Sequence, residues 1–331
     1  MMKAFEYFKP TSIAEAVSLL AEHGEKATVL AGGSDLLGMM KDNLEGPKLK
    51  MPRYIIGIKD IKELSYVKEL KGGVRIGATT SITDIASSVL LSGKYPLLVQ
   101  AAKQVAVPQI RNMGTLGGNL CQRPRCWYFR GKLFKDCLRK GGDYCYAPAG
   151  ENQYHAVLGA GSCHMVYPSD LAPALTALNA KVEIAGVKGK RSVPIEQFYV
   201  HPDKNILKEN ILSPQEMLVA VEIPAPANAK SIYLKLKERQ AFDFAIVSVA
   251  LNLSLKNDVV AEARVVLGGV APIPFRSIKA ETSLKGKKIK DGSADAVREV
   301  MVGAQSLSGN GYKIVAAQGL LEKALSSIAV G

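Results

Sequence analysis

The sequence predicts an α+β protein of two domains. Its 331 residues are enough for two domains on the usual length relation. A helix, a strand, a glycine loop and a second helix follow one another near the N-terminus. A short Pro/Ala-rich segment at residues 224–230 marks a boundary, and the chain after it contains strands followed by helices. Strands and helices segregated in this way are typical of an α+β layer domain.

The N-terminal elements are predicted from their local signals. Residues 12–15 read Ser-Ile-Ala-Glu, a capping box that satisfies free backbone N–H groups at a helix start. Apolar residues then recur at helical spacing, and Gly24 ends the helix. An apolar strand at 27–31 leads into glycines at 32–33, and residues 36–40 are expected to be helical.

The middle of the chain is predicted as short strands and helices that flank an irregular stretch. Glycine, arginine and lysine are frequent in that stretch, which follows a glycine turn at 117–118. The expected elements are strands at 54–58, 73–78 and 180–184, and helices starting at Ser81 and covering 95–105 and 171–178.

The C-terminal domain, expected at residues 231–331, is predicted as a three-stranded sheet with two helices. The strands are expected at 231–237, 245–255 and 261–270, and the helices at 294–307 and 313–329.

The formal charge of +13 is spread along the chain instead of forming a compact basic arm. Diffuse charge is usually a solvated surface, so nucleic-acid binding is not expected, and an acidic redox partner is the better interpretation. No apolar run is long enough to span a bilayer, and the N-terminus lacks a signal-peptide core. A cytoplasmic protein is therefore expected.

Two glycine loops are candidate phosphate sites. In residues 31–36 and 115–119, glycines adjoin a helix start, where backbone N–H groups favour an anion. Neither loop has the spacing of a Rossmann site or the lysine of a P-loop. Each loop by itself is more typical of a tight turn.

Together with other motifs, the loops resemble a known family. Residues 31–37, 109–120 and 168–171 match, in order and spacing, the FAD-binding subunit of the xanthine dehydrogenase and carbon monoxide dehydrogenase family. The resemblance extends to residues 233–235 and 267–271 and so covers nearly the whole chain. It implies a vanillyl-alcohol-oxidase-type fold in which two subdomains, about 1–54 and 55–224, hold an extended FAD between them.

The resemblance also implies the FAD-binding residues. The first loop would wrap the pyrophosphate, the second would add contacts, Asp170 would lie near the adenosine end, and Lys235 would approach the flavin ring. The simpler alternatives are a helix cap for Asp170 and an exposed strand position for Lys235. The full expected set is Leu30, Ala31, Gly32, Gly33, Ser34, Asp35, Leu36, Thr115, Gly117, Gly118, Asn119, Asp170 and Lys235.

All five cysteines lie between residues 121 and 163. Clustered thiols in a cytoplasmic protein more often bind metal than form disulfides, and the odd count argues against complete pairing. The wide spacings match neither a zinc ribbon nor the short ferredoxin run, so spacing alone does not choose the metal. The alternative is a group of unrelated buried thiols.

The cysteine stretch resembles an insertion, here about residues 121–165, found in bacterial aldehyde oxidoreductases and 4-hydroxybenzoyl-CoA reductases. There the insertion holds a 4Fe-4S cluster beside the flavin. Cys121 is the alternative to Cys126 as the first ligand. His155 and His164 are expected behind the ligands or at the surface. Residues 127–129 are expected to shield the cluster from water. The ligands implied by position are Cys126, Cys137, Cys145 and Cys163.

The resemblance implies an electron-transfer subunit carrying FAD and a 4Fe-4S cluster. Its partners would be a molybdopterin-binding large subunit, a 2Fe-2S small subunit and a soluble electron acceptor or donor. No catalytic acid or base stands out in the chain. Two other functions stay open at this point: a stand-alone FAD-dependent oxidoreductase and a metal-binding regulatory protein.

Overall fold

A computed structural model describes residues 2–226 and 228–330. Met1, Ala227 and Gly331, which belong to the expected domains and linker, lie outside the described residues. Three sheets organise the described chain: one parallel sheet of three strands, and two antiparallel sheets of five and four strands.

The first subdomain is built on the parallel sheet. Its elements are β1 (Glu6–Phe8), α1 (Ile13–His23), β2 (Ala27–Leu30), α2 (Leu36–Lys41) and β3 (Tyr54–Gly57). The Ser12 hydroxyl accepts a hydrogen bond from the Glu15 N–H at 3.2 Å, which starts α1 as the sequence predicts. β3 lies between β1 and β2, so the first subdomain continues through Gly57. The boundary expected between residues 54 and 55 would divide this strand and is corrected accordingly.

The second subdomain contains the five-stranded sheet and a helical layer. Its sheet elements are β4 (Val67–Leu70), β5 (Gly73–Gly77), β6 (Lys181–Gly186), β7 (Gly189–Pro194) and β8 (Met217–Pro224), in the order β4-β5-β8-β6-β7. Its helices are α3 (Ile82–Ser87), α4 (Val89–Lys94), α5 (Pro96–Lys103), α6 (Pro108–Met113), α7 (Leu116–Cys121), α8 (Trp127–Arg130), α9 (Leu171–Ala177) and α10 (Ile195–Phe198).

The C-terminal domain packs both faces of its sheet. Its elements are β9 (Ala229–Leu236), β10 (Val247–Lys256), β11 (Val259–Gly268), β12 (Phe275–Arg276), α11 (Ile278–Leu284), α12 (Ile289–Glu299) and α13 (Tyr312–Val330). Side chains alternate between faces along a strand. Val249 and Leu251 join the core formed with the domain's own helices, whereas Ala250 joins the core of the second subdomain.

The three strands predicted for this domain are confirmed, but the sheet has a short fourth strand, β12. The structure also contains α11, which the sequence analysis missed, and α12 begins at Ile289 instead of residue 294. The final predicted helix is confirmed as α13.

The cysteine stretch is irregular, as expected, with α8 and a short 3-10 turn at Leu138–Lys140. It is anchored by a small core in which Phe129 and Cys137 pack against Met39 and Leu44 of the first subdomain. The described residues include no helix long and apolar enough to cross a membrane.

Candidate functional site

The first glycine loop joins β2 to α2 and presents free backbone donors. Gly33 has a φ of +70°, which a glycine adopts without strain. Within the part of the chain that the structure describes, the amides of Gly32, Gly33 and Ser34 donate to no backbone carbonyl. The Ser34 side chain is exposed beside them. Free amides at a helix start are the donors that a pyrophosphate requires, so this loop fits the group.

The second glycine loop is different because its amides are already used. The Gly117 N–H donates to the Ala78 carbonyl at 2.8 Å, and the Gly118 N–H donates to the Thr115 hydroxyl at 3.2 Å. The Asn119 N–H donates to the Thr115 carbonyl at 2.9 Å. This loop therefore offers a surface for close approach, and the Thr115 hydroxyl acts as a helix cap.

The first loop contacts the two residues just before the second loop, Met113 and Gly114, through a glycine. A Cβ on Gly32 would overlap the Met113 carbonyl, and one on Gly114 would lie 3.8 Å from the Ser34 hydroxyl. Gly32 thus lacks a side chain because the Met113 carbonyl lies against it. The space is not there to receive a phosphate. The structure brings the two sequence-predicted loops into one site.

Asp35 connects the first loop to the cysteine stretch. Its carboxylate forms ion pairs with Arg130 at 2.6 Å and Arg125 at 3.0 Å, and accepts from the Arg123 N–H at 2.8 Å. The side chain is only 17 % exposed. The Asp35 carboxylate therefore binds arginines and does not donate a hydrogen bond to a phosphate.

A cavity of about 380 Å³ is linked to these loops through residues of its wall. Its wall includes Arg125, which pairs with Asp35 of the first loop. It also includes Ser169, whose hydroxyl donates to the Asn119 amide oxygen of the second loop at 2.6 Å. The volume lies in the range of small-molecule sites, and the aromatic side chains of Trp127, Tyr154, Tyr167 and Phe244 line it.

Asp170 and Lys235 form a buried ion pair of 2.7 Å. They therefore lie at one point, and the expectation that they approach opposite ends of an extended FAD is wrong. Lys235 is not exposed either: its side chain has 0 % exposure, and its ammonium also donates to the carbonyls of Gln104 and Asp243. These three bonds use all donors of a lysine ammonium.

Asp170 also accepts a hydrogen bond from the Tyr233 hydroxyl at 2.7 Å. Burial raises the pKa of Asp170, and Lys235 opposes that shift. Asp170 precedes α9 as expected, but its side chain makes no capping bond. The Ser169 hydroxyl caps instead, accepting from the Ala172 N–H at 3.0 Å.

The four cysteines expected to hold a cluster line one small cavity: Cys126, Cys137, Cys145 and Cys163. Cys121 is absent from its wall and packs against the core of the second subdomain. All five thiols are free. The free volume is about 10 Å³, so a four-iron cluster would require the four side chains to move outward. The geometry favours Cys126 over Cys121 as the first ligand.

Backbone N–H groups lower the pKa values of three of the four thiols against the effect of burial, and two of these, Cys126 and Cys137, directly precede a helical turn. The amides of Tyr128 and Phe129 point at the Cys126 sulfur, and those of Arg139 and Lys140 at the Cys137 sulfur. The Met165 amide points at the Cys163 sulfur in the same way. Hydrogen bonds to sulfur are one of the means by which proteins tune an iron–sulfur cluster.

The causes of the pKa shifts differ between Cys121 and the thiols of the small cavity. Burial alone raises the pKa of Cys121 to about 12. The pKa of Cys126 also rises to about 12, mainly through burial, but the neighbouring thiols of Cys163 and Cys137 add to its shift. Burial also raises the pKa of Cys163, to about 11, and the neighbouring thiols of Cys145 and Cys137 add smaller contributions.

Across residues 2–226 and 228–330, no three His, Cys, Asp or Glu side chains are grouped closely enough to hold a single metal ion. A mononuclear zinc site needs four ligands converging at about 2.3 Å from one ion. A 4Fe-4S cluster instead takes one thiolate at each of four separate irons, which needs a wider set. The side chains of residues 2–226 and 228–330 therefore do not form a site for a single zinc ion.

Two buried side chains on the same cavity have unused donors or acceptors. Arg139 is 1 % exposed, and its Nε and Nη2 atoms have no hydrogen-bond partner among the described residues. His155 is 5 % exposed, its Nε2 lies 3.3 Å from the Cys126 sulfur, and its Nδ1 is unpartnered in the described chain. Unpaired buried polar atoms are costly, so they indicate a missing polar group. The donor set fits a cluster.

His155 and Cys126 line both cavities, so the two spaces share a wall. Burial, with the nearby Lys313 charge, lowers the pKa of His155 to about 4, which keeps the ring neutral. His155 thus lies against Cys126, while His164 is half-buried. Tyr128 and Phe129 line the cysteine cavity as expected shields, but Trp127 lines the larger cavity and is 46 % exposed.

Sequence analysis missed the loop after β9, which closes the larger cavity. Glu238, Arg239, Asp243 and Phe244 line it, and the Phe242 N–H donates to the Ala106 carbonyl at 3.3 Å. Phe242 and Ala106 both have positive φ, which is unusual for residues other than glycine. Such strain concentrates at functional sites. The only signal in the sequence was the aromatic pattern Phe-Asp-Phe between two strands.

Comparisons with known proteins find similarity along nearly the whole chain. Residues 3–226 match the family of FAD-binding domains in molybdopterin dehydrogenases, and residues 232–328 match the CO dehydrogenase flavoprotein C-terminal domain. The chain is 35% identical over 327 residues to the FAD-binding subunit of an Escherichia coli aldehyde oxidoreductase, covering 98% of each protein. It is 30% identical over 330 residues to the carbon monoxide dehydrogenase medium chain of Hydrogenophaga pseudoflava, covering 98% of this chain and 96% of that one.

Solved structures share the fold. A carbon monoxide dehydrogenase from Hydrogenophaga pseudoflava that lacks the Mo-pyranopterin moiety superposes with a TM-score of 0.77 at 28% identity. The match covers 100% of this chain and 99% of that one. The common arrangement is a mixed α/β FAD-binding domain followed by a C-terminal domain of sheet and helices.

Proposed function

This chain belongs to the FAD-binding subunits of the molybdenum hydroxylase family, and from that premise we propose that it is an electron-transfer subunit carrying both FAD and a 4Fe-4S cluster. The observation that carries the proposal is the wall shared by the two cavities, formed by Cys126 and His155. Redox groups on either side of such a wall would lie close enough to exchange electrons.

The FAD would lie across both glycine loops with its ring in the 380 Å³ cavity. The free amides of Gly32, Gly33 and Ser34 would bind the pyrophosphate, and Leu30, Ala31 and Leu36 would shape that loop. Asp35 would hold the loop against the cysteine stretch through its arginines. Thr115, Gly117, Gly118 and Asn119 would supply the facing surface. When bound, FAD supplies the capacity to take electrons in pairs and release them singly.

Asp170 and Lys235 would support this site from behind. Their ion pair joins the start of α9 to β9, and Lys235 also holds the Gln104 and Asp243 carbonyls. Asp243 belongs to the loop that closes the larger cavity. Gln104 lies two residues before Ala106, whose carbonyl accepts from the Phe242 N–H of that loop. We therefore assign the pair a positioning role in place of direct flavin contact.

The cluster would be held by Cys126, Cys137, Cys145 and Cys163, leaving Cys121 as a core thiol. A bound cluster supplies one-electron chemistry. The chain's own residues direct N–H groups at three of the sulfurs and exclude water with Tyr128 and Phe129. The cluster-bearing subgroup, with a 4Fe-4S insertion at about residues 121–165, is part of the same proposal.

The partners would be a molybdopterin-binding large subunit and a 2Fe-2S small subunit, with a soluble acceptor or donor completing the electron path. The relatives are described as an FAD-binding subunit and a medium chain, which implies further subunits in those enzymes. The charge of +13 favours an acidic carrier. Free thiols favour a reducing compartment, and we place the protein in the cytoplasm.

The ligand assignment is tested by two serine variants of the full chain, Cys126→Ser and Cys121→Ser. Iron and FAD are quantified after anaerobic purification. We expect Cys121→Ser to retain about four irons per chain, as a 4Fe-4S cluster requires, and Cys126→Ser to lose most of them. FAD content serves as the control for folding. Full iron in Cys126→Ser would contradict the assignment of Cys126 as a ligand, and no iron in the unmodified chain would contradict the cluster itself.

A further inference from the structure

Arg139 carries a buried guanidinium that the protein only partly satisfies. The residue is 1 % exposed, and its Nη1 donates to the Glu209 carboxylate at 2.8 Å. Its Nε and Nη2 have no partner among residues 2–226 and 228–330. A buried charged donor without an acceptor is costly, and such groups are rare in native proteins.

The unpartnered donors lie at the cysteine cavity. Arg139 lines that cavity together with Cys137 and Cys163. Since Nη1 is taken by Glu209, the other two nitrogens are the ones available to a group in the cavity.

The position of Arg139 is fixed by a buried anchor. Glu209 is 6 % exposed and is also held by Arg123, whose Nε and Nη2 donate to it at 3.1 and 3.0 Å. Lys140, 0 % exposed, donates to the Gly131 carbonyl at 2.6 Å. Two arginines therefore share one carboxylate, and the surplus positive charge beside the cavity calls for a negative occupant.

We propose that Arg139, held by Glu209, donates its Nε–H and Nη2–H groups to sulfur atoms of the cluster and thereby raises the cluster's reduction potential. The inference rests on the proposed function, because it requires the cluster. Guanidinium stays charged and presents its donors in a rigid planar fork. Reduction adds negative charge to the cluster, so a nearby cation and two charged donors stabilise the reduced form more than the oxidised form.

The test compares Arg139→Met, Arg139→Lys and the control Lys132→Met, an exposed residue of the same segment. Each full-length variant is purified anaerobically, its iron is quantified, and the cluster's midpoint potential is measured by redox titration followed by electron paramagnetic resonance. We expect a more negative midpoint for Arg139→Met, an intermediate midpoint for Arg139→Lys, and an unchanged midpoint for Lys132→Met.

An iron-loaded Arg139→Met with the unmodified midpoint would overturn the proposal. If that variant fails to load iron, Arg139→Lys decides: a midpoint equal to that of the unmodified chain rejects the donor role, and a lower one supports it. Failure of the proposed function looks different, because the unmodified chain would then contain no cluster signal at all.

Discussion

At the scale of single residues, Gly32 is the position where the two loops depend most on a missing side chain. Replacing it with alanine would drive a Cβ into the Met113 carbonyl and push the loops apart. We expect Gly32→Ala to lower the FAD content of the purified chain severalfold. Gly38→Ala, on α2 with nothing near the added Cβ, is the matched control and should retain FAD. Equal FAD in both variants would contradict the loop geometry.

The Asp170–Lys235 pair gives a second prediction at this scale. Lys235→Met leaves a carboxylate buried without its cation, which should lower the free energy of unfolding by about 3–5 kcal/mol. The double variant Asp170→Asn with Lys235→Met should recover part of that loss, because no charge is stranded. Denaturant titration measures both. A double variant less stable than Lys235→Met alone would argue against a simple ion pair.

Residue identities in the site were predictable where a motif carried them. The glycine loops and the four cysteines could be selected by pattern, and the structure brings each set together. Asp170 and Lys235 could not be placed correctly, because a tertiary ion pair between positions 65 residues apart leaves no local signal. Arg139 was missed for the same reason: its significance depends on burial and on Glu209, 70 residues away.

At the scale of elements, α13 holds the segment that contains His155. The Lys313 ammonium donates to the carbonyls of Tyr154, His155 and Gly269 at 3.1, 3.0 and 2.6 Å. Lys313→Met would remove a donor from each of these carbonyls, and His155 would keep only its bond from the Asn310 side chain. We expect a loss of about 2–5 kcal/mol in unfolding free energy. Lys323→Met, exposed on the same helix, should change little.

Chemical denaturation of the two lysine variants provides the comparison. Matching midpoints for Lys313→Met and Lys323→Met would mean that the contacts do not anchor the segment.

Elements were predictable where capping or glycine stops marked them, as at Ser12 and Gly24. β8 was missed because residues 217–221 are all buried, so the strand has no apolar–polar alternation to detect. The boundary inside β3 was misplaced because its two partners come from earlier in the chain and are chosen by tertiary pairing.

At the scale of the whole molecule, FAD would join the two subdomains through the contacting glycine loops. A ligand that binds only the folded chain stabilises it by an amount that grows with concentration, roughly 2.7 kcal/mol at a hundredfold excess over Kd. We expect removal of FAD to lower the Tm, and added FAD to restore it in a concentration-dependent way. Riboflavin, which lacks the pyrophosphate, should restore much less, and equal rescue would contradict pyrophosphate binding at the first loop.

The central claim is that one chain carries a flavin and a cluster side by side. The most direct measurement is the visible absorption spectrum of the anaerobically purified chain, with iron, zinc and acid-released FAD quantified on the same sample. We predict flavin bands over a broad brown shoulder, with about four irons and one FAD per chain. FAD without iron would remove the cluster, and a colourless zinc protein would contradict the whole account.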